Sequence, residues 1–249
     1  MTIRDALLNG RRRPKRRGVG ATPASRGDGY EFAELRAYGA GDDARRIDWA
    51  ASARSGELQT RVLLEETALT IASIVDTSAS MNVGRARALA RAADEALRAW
   101  RASATADDRY IAIGAGRAEA FDLVTSLSRA RRLLPRGAAL LVISDWYDLA
   151  SIDALEVVML GTRLDCTALV ARDPWHDDLP LAGFVRLRGA EGGCRRVFIG
   201  ARERGNYREA VALRERAVRA QLGGAGWRTG ILAEQDGAAS LRAAFGVRA

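Results

Sequence analysis

The sequence predicts an α/β fold, a mainly parallel open sheet with helices on both faces, from three observations. Residues 69–75 and 138–144 are short, mainly apolar runs without a charge, the pattern of strands buried on both faces. Each run stops at an aspartate, Asp76 and Asp145. Around them, segments with helical periodicity alternate with other short strand-like runs, as in a chain of βα units.

Taken in order, residues 1–28 are rich in Arg, Gly, Ser and Pro and are expected to form a basic disordered arm. Residues 29–66 change texture: Tyr30, Phe32, Leu35, Tyr38, Ile47 and Trp49 supply apolar anchors. Residues 47–53 suit a short helix and 58–64 a strand with one alternating apolar face. The charged residues of this segment, among them Arg36, Asp42, Asp43, Asp48 and Arg54, read most simply as an ion-pair network. The segment is expected to pack on the body as a clasp, with Tyr38 and Trp49 buried.

The body, residues 67–249, continues the alternation. Residues 84–103 place Ala86, Leu89, Ala90, Ala93, Leu97 and Trp100 on one helical face. Strands are expected at 110–115 and 118–124, then a basic helix at 125–134 ended by Pro135. After the second buried strand, a helix at 151–160 and strands at 167–171 and 184–187 follow. A hairpin is expected at 190–200 across Gly192-Gly193. Residues 206–222 read as a long amphipathic helix with Tyr207, Ala210, Val211, Ala217 and Val218 inward. A short segment at 230–233 and a helix near 238–245 complete the chain.

Composition narrows the function classes. In 249 residues, 48% are hydrophobic and 28% charged, ordinary for a soluble globular protein. No apolar run approaches the roughly 20 residues of a membrane span, and no apolar stretch follows the basic N-terminus as in a secretory signal. Cys166 and Cys194 have no metal-ligand spacing, which suits a reducing compartment. A cytoplasmic location is expected. The net charge of +8 falls largely in residues 1–20, which carry +6, so the body is close to neutral and specific nucleic-acid binding is not expected.

The chemistry concentrates where the first buried strand ends. Asp76-Thr77-Ser78-Ala79-Ser80 offers one carboxylate and two alternate hydroxyls, hard oxygen ligands suited to Mg²⁺. The same residues also suit a capped turn, since Asp and Ser satisfy free N–H groups at helix starts. In a parallel sheet, ligands bind beyond the carboxyl ends of the strands, so Asp145 is expected near Asp76. Two close carboxylates resist joint ionisation unless a cation or donors compensate. The single histidine, His176, lies in a loop and reads as a surface residue. No Walker-type phosphate loop occurs, which argues against ATP hydrolysis by this chain.

One stretch carries a more specific signal. Glu31-Phe32, Arg36, Tyr38, Gly41-Asp42-Asp43, Arg45, Ile47-Asp48-Trp49 and Arg54, followed by VDTSASM, resemble the signature of domain-of-unknown-function family fifty-eight. That is a bacterial group of von Willebrand factor A-like proteins, and the resemblance covers roughly residues 28–200. It implies a Rossmann-type von Willebrand factor A-like domain with a metal-ion-dependent adhesion site. Such a site has an Asp-x-Ser-x-Ser loop, a threonine from a second loop and an aspartate after a later strand. Here these correspond to Asp76, Ser78, Ser80, Thr125 and Asp145, holding Mg²⁺ or Mn²⁺, with Ser126 or Ser128 able to stand in for Thr125. The family commonly accompanies MoxR-type AAA+ ATPases. The resemblance therefore implies a non-enzymatic adaptor or cochaperone whose partners are such an ATPase and a client or neighbouring von Willebrand A-like protein. The alternative, from another class, is a divalent-metal hydrolase or nuclease using Asp76, Asp145 and the acidic Asp42, Asp43 and Asp48. A third possibility places the arginine arm on nucleic acid or anionic membrane.

Overall fold

The computed structural model describes residues 2–12, 31–39, 42–64, 68–114, 120–177, 179–189 and 192–247. In chain order its regular elements are α1 (Ile3–Arg12), β1 (Glu31–Ala37), α2 (Trp49–Ser55), β2 (Gln59–Leu64), β3 (Thr70–Val75), α3 (Leu89–Ala102), β4 (Arg109–Ala112) and α4 (Leu123–Leu133). They continue with β5 (Ala139–Ser144), α5 (Ala154–Arg163), β6 (Asp165–Ala171), β7 (Gly183–Arg188), β8 (Cys194–Ile199), α6 (Ala201–Gly224), β9 (Arg228–Leu232) and α7 (Gly237–Ala244). Two compact units result: residues 1–10 with 69–249, and residues 11–68.

The larger unit is α/β. Its five-stranded sheet runs in the order β4-β3-β5-β6-β9 and every pairing is parallel. Alternate residues of β5 divide between two cores, as the period of two requires. Leu140 and Val142 pack with Leu123 and Leu127 of α4, Val157 and Leu160 of α5, and Val218 and Leu222 of α6. Leu141 and Ile143 pack on the opposite face with Leu89 and Trp100 of α3, Leu241 of α7, and Ile3 and Leu7 of α1. Among the described residues, no helix is long and apolar enough to cross a membrane.

The chain leaves β3 for β4 by way of α3 on one face, then returns past β3 to β5 by way of α4 on the other. The loops after β3 and β5 therefore diverge to opposite faces, and a crevice opens between their carboxyl ends. This is the topological switch point at which open α/β sheets bind ligands.

Several expectations need correction. The N-terminus is not wholly a disordered arm: residues 3–12 are helical, Leu7 is 1% exposed, and Arg4 pairs with Asp108 at 3.2 Å. A reciprocal cap starts this helix, with Thr2 N–H donating to Asp5 at 2.6 Å and Asp5 N–H donating to the Thr2 hydroxyl at 3.1 Å. Residues 13–28 lie outside the described residues. The strand expected at 118–124 is absent over 120–124, with 115–119 outside the described residues. Asp122 accepts from the Val124 and Thr125 N–H groups, so helix α4 begins at Leu123, and Leu123, Leu127 and Ala130 follow helical spacing. Helix α6 is longer than expected and its burial is displaced: Val218 and Leu222 are its buried residues, while Ala210 and Ala217 are exposed.

In the smaller unit, β1 and β2 form an antiparallel pair joined through α2. Asp48 caps α2 by accepting from Ala51 N–H at 2.9 Å and pairs with Arg61 at 2.8 Å. Gly56 ends the helix at φ 75°, a left-handed position that glycine occupies without strain. Arg36 pairs with Asp42 at 2.5 Å, and the Tyr38 hydroxyl donates to the Asp42 carbonyl at 3.0 Å. Of the expected ion-pair network, the Arg36–Asp42 pair is present, and Asp48 pairs with Arg61 outside the expected set. Trp49, expected to be buried, is 69% exposed because it occupies the first turn of a short helix whose buried residues are Ala51 and Ser52.

Candidate functional site

Asp76 follows β3 directly and is 5% exposed. Its own N–H donates to the Ile143 carbonyl at 2.8 Å, which extends the β3–β5 ladder by one step and fixes the carboxylate at the crevice. Oδ1 accepts from Ser78 N–H at 2.8 Å, and Oδ2 accepts from the Ser144 hydroxyl at 2.6 Å. An ionised carboxylate has about four acceptor positions, so these two bonds leave capacity for a further ligand. The Ser78 and Ser80 hydroxyls are hydrogen-bonded to each other at 2.8 Å.

That separation matters for a cation. Adjacent oxygens of an octahedral Mg²⁺ shell, with bonds of about 2.0–2.1 Å, stand about 2.9 Å apart. The hydroxyl pair therefore already has the spacing of two neighbouring ligands, and the carboxylate beside it supplies charge. Among the described residues, no group of three or more His, Cys, Asp or Glu side chains is placed to hold a metal. The Asp76, Ser78 and Ser80 set is of a different kind, one carboxylate with two hydroxyls, and its donor chemistry fits Mg²⁺ or Mn²⁺.

The remaining expected ligands are placed differently. Asp145 follows β5 and is half-buried; its Oδ1 accepts from Tyr147 N–H at 3.0 Å. Thr125 is exposed in the first turn of α4, where its hydroxyl donates to Asp122. Ser126 is buried and its hydroxyl donates to the Asp122 carbonyl at 2.8 Å. Asp76, Ser78 and Ser80 are thus joined by direct bonds, Asp145 is adjacent in sequence to the Ser144 that bonds Asp76, and Thr125 is engaged with its own helix cap. Asp42, Asp43 and Asp48 belong to the other unit, where each caps or pairs locally.

Two features were not foreseen. Ser144 ends β5 and serves both strand ends, donating to Asp76 while accepting from Trp146 N–H at 3.0 Å. Its signal was a polar residue closing an otherwise apolar strand. Glu234, buried after β9, accepts from the N–H groups of Arg85 and Ala86 at 2.8 and 3.2 Å and so pins the loop that follows Ser80. This delays α3 to Leu89, five residues beyond the expected start. The same loop turns too tightly at Gly84 for any side chain, since a Cβ there would lie 1.8 Å from the Arg87 carbonyl oxygen. Arg87 reaches back to Glu95 at 2.5 and 2.7 Å, and this pairing, with a bond from Gly237 N–H, draws the Glu95 pKa down to about 2.

A mixed rim borders the crevice. The Arg214 guanidinium of α6 donates to the Asp145 carbonyl and stacks over the Tyr147 ring at 3.5 Å from its centre. Burial, and then a hydrogen bond to Asp173, push the Tyr207 phenol upward in pKa. His176 bonds the Asp173 carbonyl at 2.9 Å.

Residues 34–109 match the family described as protein of unknown function DUF58. Uncharacterized proteins of Mycobacterium tuberculosis and Mycobacterium bovis are 30% identical to the chain, over 80% of its length and 73% of theirs. The chain belongs to the DUF58 family. The DUF58 match spans both units, from β1 through the Asp76 loop to the start of β4. No solved structure matches this DUF58 chain significantly.

Proposed function

We propose that this chain is a non-enzymatic, metal-dependent protein-binding module with a von Willebrand factor A-like larger unit. The observation that carries the reading is the loop Asp76–Ser80, held at the switch point with two hydroxyls at ligand spacing beside a buried carboxylate. Asp76, Ser78 and Ser80 would hold Mg²⁺ or Mn²⁺, with Asp145 and Thr125 as further oxygen donors. When bound, the ion supplies an exchangeable position that a carboxylate of a partner protein can fill. Ser144 orients Asp76, and Glu234 and Glu95 keep the loop in place. A hydrolase would need a positioned base or nucleophile at the same crevice. The resemblance to von Willebrand A-like proteins that accompany MoxR-type AAA+ ATPases supports an adaptor or cochaperone role beside such an ATPase.

The test is paired: capture of a purified MoxR-type ATPase, and a hydrolase panel, both in millimolar Mg²⁺ with wild type and Asp145→Ala. Capture that falls at least tenfold in the variant, without turnover in either protein, supports the adaptor. Metal-dependent phosphoester or peptide turnover in wild type, with capture indifferent to the substitution, establishes the hydrolase alternative instead.

A further inference from the structure

Helix α6 extends well past the sheet. Arg214 bonds the Asp145 carbonyl and Glu215 pairs with Arg172, the residue after β6, at 3.1 Å. Residues 214 and 215 are therefore level with the carboxyl edge of the sheet, and the helix runs from there toward the start of β9. None of the thirteen preceding helical residues, 201–213, is buried. The β7–β8 hairpin leads into this part of the helix, on the edge where the Asp76 crevice opens. The hairpin pairs 183–188 with 194–199, so the turn expected at Gly192-Gly193 is found but its first strand lies earlier than 190. Gly192 and Gly193 adopt φ of 105° and 80°, which a side chain would strain.

One face of the hairpin is wholly exposed. Directly paired residues share a face, and this face carries the pairs Phe184–Phe198, Arg186–Arg196 and Arg188–Cys194. The two phenylalanines, 71% and 55% exposed, meet edge to face at 5.2 Å. Arg196 lies over the Phe184 ring at 5.3 Å. Arg186 and Arg196 stand directly opposite each other, a like-charge pairing that disfavours the strand pair. The described hairpin residues include no acid, and no ion pair to Arg186, Arg188, Arg195 or Arg196 occurs among the described residues.

We propose that this Phe–Arg face is a docking surface for an acidic segment of a partner protein, beside the crevice at the same sheet edge. Charge complementarity supplies the occupant's sign: a carboxylate-bearing strand or loop would relieve the Arg186–Arg196 repulsion. Phenylalanine and arginine are also the side chains that interface cores favour. A nucleic-acid strand fits less well, because the rings are spent on each other and on Arg196 rather than open for stacking. The adjoining α6 also interleaves Glu203, Glu209 and Glu215 with its arginines, which breaks the single-sign field a phosphate backbone seeks. A membrane fits less well still, because the phenylalanines sit at the base of the hairpin beside buried Ile199, not at its glycine-rich turn.

This deepens the adaptor reading and rests on it for the class of partner, so its test is run without metal. Fluorescence anisotropy in EDTA compares the full chain with a short labelled peptide of alternating Glu and Leu, its Gln–Leu counterpart, a mixed-sequence single-stranded DNA and a phosphatidylglycerol vesicle. Wild type is expected to bind the Glu–Leu peptide at least tenfold more tightly than the Gln–Leu peptide. Arg186→Gln/Arg196→Gln and Phe184→Ser/Phe198→Ser should each weaken that binding at least tenfold. The arginine variant should keep or raise the melting temperature, because it removes a repulsion. Because EDTA strips any divalent ion from the crevice, failure of the crevice and failure of the hairpin are read separately. No peptide binding by wild type, peptide binding indifferent to the hairpin substitutions, or DNA or vesicle binding that exceeds peptide binding and is lost in the same variants would overturn the proposal.

Discussion

Asp76 and Asp145 each follow a buried parallel strand, but the two strand ends are built differently. After β3 the backbone continues without strain, and both carboxylate oxygens of Asp76 are held by neighbours. After β5 the chain turns at Trp146, which adopts φ 57° and ψ 30°, a left-handed conformation unusual for a bulky residue. Asp145 has one side-chain oxygen engaged and is half-buried. Such backbone strain costs about 1–3 kcal/mol and persists only where the surroundings over-determine it. Here Trp146 is buried edge-on against Trp227 at 5.7 Å, and its backbone N–H donates to the Ser144 hydroxyl. The β3 end is thus a loop ordered by hydrogen bonds to Asp76, whereas the β5 end is an elbow held in place by packing.

The largest effect is expected at Trp146. Trp146→Ala removes the packing that holds the elbow and should destabilise the larger unit by about 3–5 kcal/mol. Denaturant titration checks this, and a loss below about 1 kcal/mol would show that the elbow needs no such support.

At the opposite end of β3, Asp108 is a carboxylate with a purely structural set of partners. Burial alone would raise its pKa, but bonds from the N–H groups of Thr105 and Leu69, from Arg4 and from the Thr105 hydroxyl outweigh this and hold it at about 2. The folded pKa lies below the usual 3.8, so the stabilisation is full above about pH 4 and is lost as pH falls through about 2. The shift corresponds to about 2 kcal/mol at neutral pH. Asp108→Asn should lose that amount at pH 7 and little at pH 2, as read by melting temperature. An equal loss at both pH values would contradict the assigned charge.

Much of this organisation was legible in the sequence, for identifiable reasons. Residues 69–75 and 138–144 announce buried strands because no charge interrupts them before the aspartates and their few polar residues are small hydroxyls, and the alternation with helices follows from periodicity. The N-terminal helix was obscured because seven basic residues in the first twenty outweighed the quieter Thr2–Asp5 cap and the Ile3–Leu7 spacing. The helix start at Leu123 was hidden because Phe121, Leu123 and Val124 look like a strand until Asp122 is seen as a cap. At the site, Asp76, Ser78 and Ser80 are local in sequence and were readable together. Ser144 and Glu234 act across 68 and 149 residues, on Asp76 and on Arg85, and only the fold brings them there.

For the proposed binding of a divalent cation by the Asp76 loop, the decisive measurement is a Mg²⁺ titration of thermal stability. Wild type should gain about 1.4 kcal/mol at ten times the dissociation constant, following RT ln(1 + [L]/Kd). Asp76→Ala should gain nothing over the same range. A wild-type melting temperature that stays constant across the titration, with no heat of binding by calorimetry, would contradict the account.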